Sequence, residues 1–321
     1  MDFGAEPSKG NQRLNTPDDA QKSTQTGYKR FHRRGKNRAA PDVGMTVTTA
    51  VAVPVPTPAK SESVPALPDP VQLPTPVILS PSDGPAEIWA ALRQVTSGVR
   101  QNDPGKMPLV SFHRDDPASK AFDQLRTRLL QTLRANGWNR IAIASPTPGC
   151  GATFTVVNLG LSLARIPGSR TVLMDMNMRT PGVARALDVQ CTGDMRGYLS
   201  GRIETEKHLV RVKDTLALGL AGQADRDAAE LMHDPRTGAA LDAMQDELAP
   251  DVVLYDLPPI LAYDDLAAFL PQVDGVLLVA DGTKTVAAHI EACEAVLDGQ
   301  TKVLGVILNQ ARASGLQSFD A

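Results

Sequence analysis

The sequence predicts an α/β fold of three layers, in which a mostly parallel sheet is covered by helices on both faces. Two observations predict it: short, uninterrupted apolar runs recur along the chain, and segments of helical periodicity lie between them. Strands that are buried on both faces have this continuous apolar character. Their alternation with helices is typical of βαβ units.

The N-terminal region has a different composition. Proline recurs every few positions over residues 50–84, and residues 1–40 are mostly polar. Such a segment buries too little apolar surface to offset the entropy of ordering. We therefore expect a disordered basic arm and proline-rich linker at 1–84. A short helix and linker at 85–106, a globular domain at 107–313 and a short tail at 314–321 follow.

A cluster of basic residues lies in the arm, with Tyr28, Phe31 and His32 among them. One interpretation is a solvated tail. The other is a contact with anionic lipid headgroups, at about 1 kcal/mol per basic residue near the surface. The sequence alone leaves both open. The six basic residues are Lys29, Arg30, Arg33, Arg34, Lys36 and Arg38.

Composition argues against several classes of protein. The formal net charge of -3 argues against nucleic-acid binding, which favours a basic domain. The three cysteines, Cys150, Cys191 and Cys293, are too scattered for a disulfide framework or a zinc site. The N-terminus has no apolar signal segment, and no apolar run is long enough to span a bilayer. We expect a cytoplasmic protein.

The predicted elements follow one another along the domain. Pro85 begins a short helix, since proline suits the first helical position. Helices are also predicted over 118–135, where Phe122, Leu125, Leu129, Leu130 and Leu133 share one face, and over 154–165. The five predicted strands are residues 141–144, 171–174, 252–255, 275–280 and 303–308.

Each predicted strand is followed by a polar residue. Because the carboxyl ends of parallel strands meet at one edge of a sheet, these residues are expected on one rim, where such folds bind ligands. They are Ser145, Asp175, Asp256, Asp281 and Asn309.

The loop after the first strand, SPTPGCGAT at 145–153, resembles a P-loop, whose pattern is GxxxxGK[ST]. Gly149 and Gly151 would let backbone N–H groups face a phosphate, and Thr153 could serve a magnesium ion. The lysine position is Ala152, and no lysine occurs from residue 141 to residue 170. By itself such a turn is weak evidence, because any tight strand-to-helix turn uses glycine.

Two acidic residues complete the pattern. Asp175 ends VLMD and Asp256 ends VVLYD. Next to a phosphate loop, such residues can hold Mg²⁺ or position a hydroxyl nucleophile. The ordinary alternative for each is a cap on the following turn. One aspartate at a strand end is unremarkable, whereas three strand-end motifs in this order indicate a nucleotide site.

With these motifs, residues 107–312 resemble the bacterial tyrosine autokinases (BY-kinases) of capsule and exopolysaccharide assembly. Those kinases are similar to the deviant-Walker ATPases of the MinD/ParA group. The blocks that carry the resemblance include SKAFDQLRTRL (119–129), GYLSGRI (197–203), LALGLAGQADRDAAELM (216–232), YDLPPILAYDD (255–265), DGVLLVADGTKT (274–285) and KVLGVILNQ (302–310).

The resemblance implies a P-loop fold, an ATP or ADP site with Mg²⁺, and a membrane chain-length regulator (a polysaccharide co-polymerase) as partner, which would bring the protein to the inner membrane. It implies that Thr153, Asp175 and Asp256 contact the metal and that Asn309 contacts the adenine. The two aspartates would also be catalytic. The implied nucleotide-binding residues are Gly149, Cys150, Gly151, Ala152, Thr153, Phe154 and Asn309.

The departures from the family pattern are as informative. The P-loop lysine is Ala152, and the second acid of the DxD-like motif is Asn177, although Asp175 and Arg179 are present. The tail ARASGLQSFDA has no tyrosine.

The helix motif ExxRxxR, which packs subunits into a ring, departs as well. It reads Lys120, Asp123 and Arg126, so only Arg126 keeps its charge. Salt bridges built on the family pattern would become repulsions, and we expect no homo-oligomeric ring.

Three functions are compatible with this pattern. The first is a regulatory partner in exopolysaccharide biosynthesis with impaired or absent kinase activity. The second is an active ATP-dependent tyrosine autokinase, and the third is a MinD/ParA-like positioning ATPase. The loss of the lysine, the ring charges and the tail tyrosines together favours the first.

Overall fold

The computed structural model describes residues 84–99, 109, 115–190 and 193–311. The predicted disordered region up to residue 83, the basic arm and the tail at 314–321 lie outside these residues. In chain order the strands are β1 (Arg93–Gln94), β2 (Arg140–Ala144), β3 (Thr171–Asp175), β4 (Val210–Lys213), β5 (Leu216–Gly219), β6 (Val252–Asp256), β7 (Gly275–Asp281) and β8 (Lys302–Asn309). The helices are α1 (Pro85–Ala91), α2 (Pro117–Asn136), α3 (Ala152–Leu163), α4 (Val183–Ala186), α5 (Met195–Leu199), α6 (Thr205–His208), α7 (Ala228–His233), α8 (Pro235–Leu248), α9 (Asp265–Phe269) and α10 (Ala287–Leu297).

All eight strands belong to one sheet, in the order β1-β4-β5-β3-β6-β2-β7-β8. Every neighbouring pair is parallel except β4 and β5. The five predicted strands are confirmed to within one residue at each end. Strands β2, β3, β6 and β7 are almost wholly buried, as their uninterrupted apolar sequences predict.

Helices cover both faces of the sheet and form two cores. On one face, α2 and α3 pack through residues such as Leu129, Leu133 and Val156. On the other, α1, α8 and α10 contribute Trp89, Leu241 and Cys293 among others. This is the predicted three-layer arrangement.

The sequence prediction differs from the structure between β3 and β6. Only helical segments were expected there, yet the chain also forms β4 and β5, an antiparallel pair joined by a tight turn. Each strand has four residues, which is too short to establish a clear alternation. The fully buried LALG of β5 pairs with β3, so the tertiary context decides its conformation.

The folded unit also begins before the predicted boundary at residue 107. Pro85 is at the N-terminus of α1, as expected, but the helix ends at Ala91 and β1 pairs with β4. Trp89 is 5% exposed, and its indole Nε1 donates to the carbonyl of Asp214 at 2.8 Å. Leu92 is buried in the same core. Residues 84–94 are therefore part of the domain, because their apolar side chains cover a face of the sheet.

We predict that Trp89→Phe lowers the free energy of unfolding by roughly 1 kcal/mol. Phenylalanine keeps most of the apolar contact, but the Asp214 carbonyl loses its hydrogen bond. Urea denaturation of the full chain would measure the change. Trp138→Phe, at a half-buried tryptophan in the other core, is the matched control. Equal stability of the Trp89→Phe variant and the wild type would contradict the proposed anchoring of α1.

In the described part of the chain, no helix combines the length and apolar character needed to cross a membrane.

Candidate functional site

The predicted polar rim lies at the carboxyl edge of the central strands. Asp175 and Asp256 are opposite each other in the parallel pair β3–β6. Asp281 and Asn309 occupy the same position in the pair β7–β8, and Ser145 directly follows β2. The structure thus places these five residues along one edge.

The phosphate-loop sequence forms a tight turn between β2 and α3. Gly149 and Gly151 have φ angles of 85° and 92°, a region that side chains disfavour. A Cβ atom at Gly151 would also lie 2.2 Å from Asn309 Nδ2, so a larger residue would displace the Asn309 amide. Helix α3 begins at Ala152, and the first backbone N–H groups of a helix favour the binding of an anion.

Thr153 joins the loop to the neighbouring strand. Its hydroxyl donates to Asp256 Oδ2 at 2.6 Å, and the Asp256 side chain is fully buried. Gly182 lies against Thr153, since a Cβ there would be 3.0 Å from Thr153 Cγ2. The first turn of α3 is therefore held between the ends of β6 and the segment after β3.

Asp175 is held by the backbone that follows β3. Its Oδ2 accepts hydrogen bonds from the N–H groups of Gly182 and Val183, both at 3.0 Å. Asp175 Oδ1 and Asp256 Oδ1 are buried, and neither has a hydrogen-bond partner among the described residues. Two carboxylates thus lie at the ends of adjacent strands, and each has one oxygen without a hydrogen bond among the described residues.

This arrangement disfavours the ionised forms. Burial raises the pKa of Asp175 to about 7, against the lowering effect of its backbone hydrogen bonds. Burial also raises the pKa of Asp256 well above its ordinary value, and the negative charge of Asp175 adds to the increase. A cation between the two would remove this penalty. Oxygen ligands from one or two carboxylates and a hydroxyl fit Mg²⁺, which keeps several waters and prefers such sets.

The lysine position is occupied by the methyl group of Ala152, which is 9% exposed at the start of α3. Two nearby cations are engaged with acidic residues. Arg179 Nε donates to both oxygens of the buried Asp265, at 3.1 and 2.8 Å, and its guanidinium lies over the ring of Tyr263. The pKa of Arg179 is raised, chiefly by the hydrogen bond to Asp265. Lys284 Nζ lies 3.7 Å from Asp281 Oδ2.

The remaining predicted site residues have defined contacts. The Asn309 side chain donates to the carbonyl of Cys150, at 2.9 Å. The ring of Phe154 packs edge to face against Phe122 of α2, at 6.0 Å between centroids. Asn177, at the position of the second acid, accepts from the Thr180 hydroxyl at 3.2 Å. The structure therefore gathers the loop, Asp175, Asp256 and Asn309 at one place, while Phe154 faces α2.

Two charged residues of the motif that corresponds to ExxRxxR on α2, Asp123 and Arg126, bond to residues of the same domain. Asp123 accepts from the Ser162 hydroxyl at 2.8 Å and forms an ion pair with Arg165, both close to the C-terminal end of α3. Arg126 Nη1 lies 3.3 Å from Asp123 Oδ1 and donates to the carbonyl of Ser162 at 3.0 Å. Asp123 and Arg126 thus fasten α2 to α3.

We predict that the purified protein does not close into a ring. Asp123 and Arg126 already bond to Ser162 and Arg165, so a contact with a neighbouring copy would compete with these bonds. Multi-angle light scattering should give a mass well below that of a closed ring. A ring formed by this chain alone would contradict the prediction, whereas a mixed assembly with a homologue of normal charge pattern would not.

Several residues of the site were not predicted from the sequence. Gly182 and Val183 hold Asp175, Gln310 Nε2 donates to the carbonyl of Gly149 at 3.2 Å, and Asp265 holds Arg179. The family-like blocks contain Asp265 and Gln310, but nothing in the sequence says which partner each side chain takes. The signal in the sequence for Gly182 was its position, three residues after Arg179 of the DxD-like motif.

Comparison with known proteins agrees with this geometry. No protein-family model matches the chain. EpsB of Ralstonia solanacearum is 29% identical over 200 residues, which are 61% of this chain and 26% of that protein. Tyrosine-protein kinase YwqD of Bacillus subtilis is 28% identical over 228 residues, which are 67% of this chain and 92% of that kinase. The chain thus spans about a quarter of EpsB and nearly all of YwqD.

Solved structures give the same picture. The BceF tyrosine kinase domain superposes with a TM-score of 0.54 at 26% identity, and the match covers 62% of this chain and 80% of that domain. The kinase domain of Escherichia coli tyrosine kinase ETK superposes with a TM-score of 0.59 at 24% identity, over 69% of this chain and 88% of that domain, which supports the fold. The chain is thus a homologue of the bacterial tyrosine-protein kinases and shares their P-loop fold.

Proposed function

We propose that this chain is a BY-kinase-like P-loop protein of exopolysaccharide biosynthesis or export that acts as a regulatory partner and has impaired or absent kinase activity. The observation that carries the proposal is the combination of a formed phosphate loop with Ala152 at its lysine position. The frame for a nucleotide is retained, while the ammonium group that would contact the β- and γ-phosphates is missing.

In this proposal the loop from Gly149 to Phe154 binds the phosphates of ATP or ADP through backbone N–H groups. Thr153, Asp175 and Asp256 hold Mg²⁺, which would supply positive charge to the phosphate oxygens. The unsatisfied Oδ1 atoms of both aspartates support this assignment. Asp175 or Asp256 would orient an incoming hydroxyl in a competent enzyme. Without a lysine, binding is weak and phosphoryl transfer is impaired.

The proposed partner is a membrane chain-length regulator, which would hold the protein at the inner membrane from the cytoplasmic side. The relatives support this setting, since one of them is the succinoglycan biosynthesis transport protein ExoP of Rhizobium meliloti, 27% identical over 237 residues. The basic arm would add a contact with anionic lipids, because a juxtamembrane cluster of lysine and arginine is attracted to an anionic surface.

The test has two measurements on the full chain. Titration calorimetry with ATP and ADP, with and without Mg²⁺, should give weak binding that Mg²⁺ strengthens. Incubation with ATP followed by anti-phosphotyrosine blotting should give no signal, with an active homologue as the positive control. Tyrosine autophosphorylation by the unmodified chain would refute the regulatory proposal. Failure to co-purify with a chain-length regulator expressed in the same cell would refute the partner.

A further inference from the structure

The end of the edge strand β8 contacts the phosphate loop from the side opposite to Asp256. Asn309 is the last residue of β8, and its Nδ2 donates to the carbonyl of Cys150 at 2.9 Å. The next residue, Gln310, donates from Nε2 to the carbonyl of Gly149 at 3.2 Å. Two consecutive side-chain amides therefore bind two consecutive carbonyl groups of the loop.

Two further observations indicate that this contact is built into the site. Gln310 has a φ angle of 56°, in the left-handed region that residues other than glycine seldom adopt. Residues in such conformations persist only where their surroundings over-determine them. In addition, the Asn309 amide occupies the space that a Cβ atom at residue 151 would need, so the glycine and the asparagine fit each other.

The geometry points to a positioning role for Asn309 and Gln310, which we call the loop clamp: they fix the phosphate loop through the carbonyls of Gly149 and Cys150. A peptide group whose carbonyl is held on one side presents its N–H on the other. The clamp therefore orients the N–H groups that would face a phosphate. Together with the Thr153–Asp256 hydrogen bond, it holds the loop from both sides without a lysine.

This inference rests on the proposed nucleotide site and differs from base recognition in what it predicts. Substitution of a residue that only contacts the base lowers the affinity for ATP but not for inorganic tripolyphosphate, which has no base. Substitution of a residue that positions the loop lowers the affinity for both ligands equally. The two roles are therefore separable with a pair of ligands.

The first measurement needs no ligand. Hydrogen exchange of the amides at 149–153 should be roughly 2- to 10-fold faster in Asn309→Leu and in Gln310→Gly, the range expected for the loss of one hydrogen bond. Glycine accepts the left-handed φ angle, so Gln310→Gly removes the amide without adding strain. Exchange in the central strands β2 and β6 should be unchanged. Equal exchange of the loop in the wild type and both variants overturns the clamp.

The matched control is Gln300→Gly. Gln300 is an exposed glutamine just beyond the C-terminal end of α10. Its Nε2 also donates to a backbone carbonyl, that of Val296, at 3.0 Å. Its loss should leave exchange of the phosphate loop unchanged. If Gln300→Gly accelerates exchange in the loop as much as Gln310→Gly does, the effect is not local and the clamp is overturned.

The second measurement uses the Ala152→Lys background, in which phosphate binding is expected to be stronger. There, Asn309→Leu should weaken ATP and tripolyphosphate by a similar factor, roughly 2- to 10-fold. Loss of ATP affinity with unchanged tripolyphosphate affinity would make Asn309 a base reader and overturn its positioning role. A background that binds neither ligand would overturn the proposed nucleotide site, and the exchange comparison would still decide on the clamp.

Discussion

Ala152→Lys is expected to tighten ATP binding by roughly 10- to 150-fold, because a hydrogen bond to a charged group contributes about 1.5–3 kcal/mol. The other residues of the proposed phosphate site have the conformations and contacts that the new side chain would need. Gly149 and Gly151 have the left-handed conformations that the turn needs, and Thr153 is bonded to Asp256. Calorimetric titration of both proteins in the presence of Mg²⁺ measures the ratio.

The control for this substitution is Ala152→Met, which adds a chain of similar length without the charge. If methionine tightens binding as much as lysine does, packing and not the ammonium is responsible. Equal ATP affinity of the wild type and Ala152→Lys would mean that the loop does not bind phosphates as proposed. The lysine variant should still show no tyrosine phosphorylation within residues 311–321, which contain no tyrosine.

The second large effect is expected from the two buried carboxylates. A carboxyl group whose pKa is raised in the folded protein ionises at a cost to stability. The raised pKa of Asp175, about 7, and the raised pKa of Asp256 thus favour the folded state below about pH 4 and destabilise it as pH rises towards 8. At about 1.4 kcal/mol per pKa unit, the shift of Asp175 from 3.8 to about 7 alone should cost roughly 4 kcal/mol at pH 8, and the ionisation of Asp256 adds to this cost.

Asp256→Asn should remove the part of this dependence that comes from Asp256 and leave the part that comes from Asp175, whose pKa is raised by burial. The amide cannot ionise, and its oxygen can still accept from the Thr153 hydroxyl. Urea denaturation at pH 5 and pH 8 should show that the variant gains stability relative to the wild type mainly at pH 8. Asp298→Asn, at an exposed aspartate beyond α10, is the control and should change neither value appreciably. An identical pH dependence in the wild type and Asp256→Asn would contradict the raised pKa of the buried Asp256.

The two buried aspartates also predict how stabilisation of the protein by Mg²⁺ depends on pH. Mg²⁺ should stabilise the wild type more at pH 8 than at pH 5, because it competes with protons for the two carboxylates. Thermal unfolding with and without millimolar MgCl₂ measures this difference. Asp256→Asn should reduce the gain at pH 8, and a gain that is independent of both pH and Asp256 would place the ion elsewhere.

The strands of the parallel sheet and the rim of the site could be predicted from the sequence alone. Apolar runs such as that of β6 are long enough to identify, and parallel strands end at a common edge. For that reason Asp175, Asp256 and Asn309 could be expected together before their contacts were known. The two glycines of the loop were likewise readable, because their conformations depend on the local backbone.

The short elements, in contrast, depend on the packing of the whole domain. Strand β5 and the first strand β1 have four and two residues, so they carry no periodicity of their own. They are strands because the sheet provides hydrogen-bonding edges for them. Trp89 belongs to the core for the same reason, since its burial depends on the strand that follows it and on the carbonyl of Asp214.

The hydrogen-bond and ion-pair partners of individual side chains could not be predicted from the sequence either. Asp123 contacts Ser162 on α3 and Arg165 just after it, and Asn309 contacts the carbonyl of Cys150, 159 positions away in the chain. Such pairings depend on how helices and strands are placed and on which rotamers fit between them. A motif therefore locates a charge or an amide on an element, whereas the packing of that element selects the atom to which it binds.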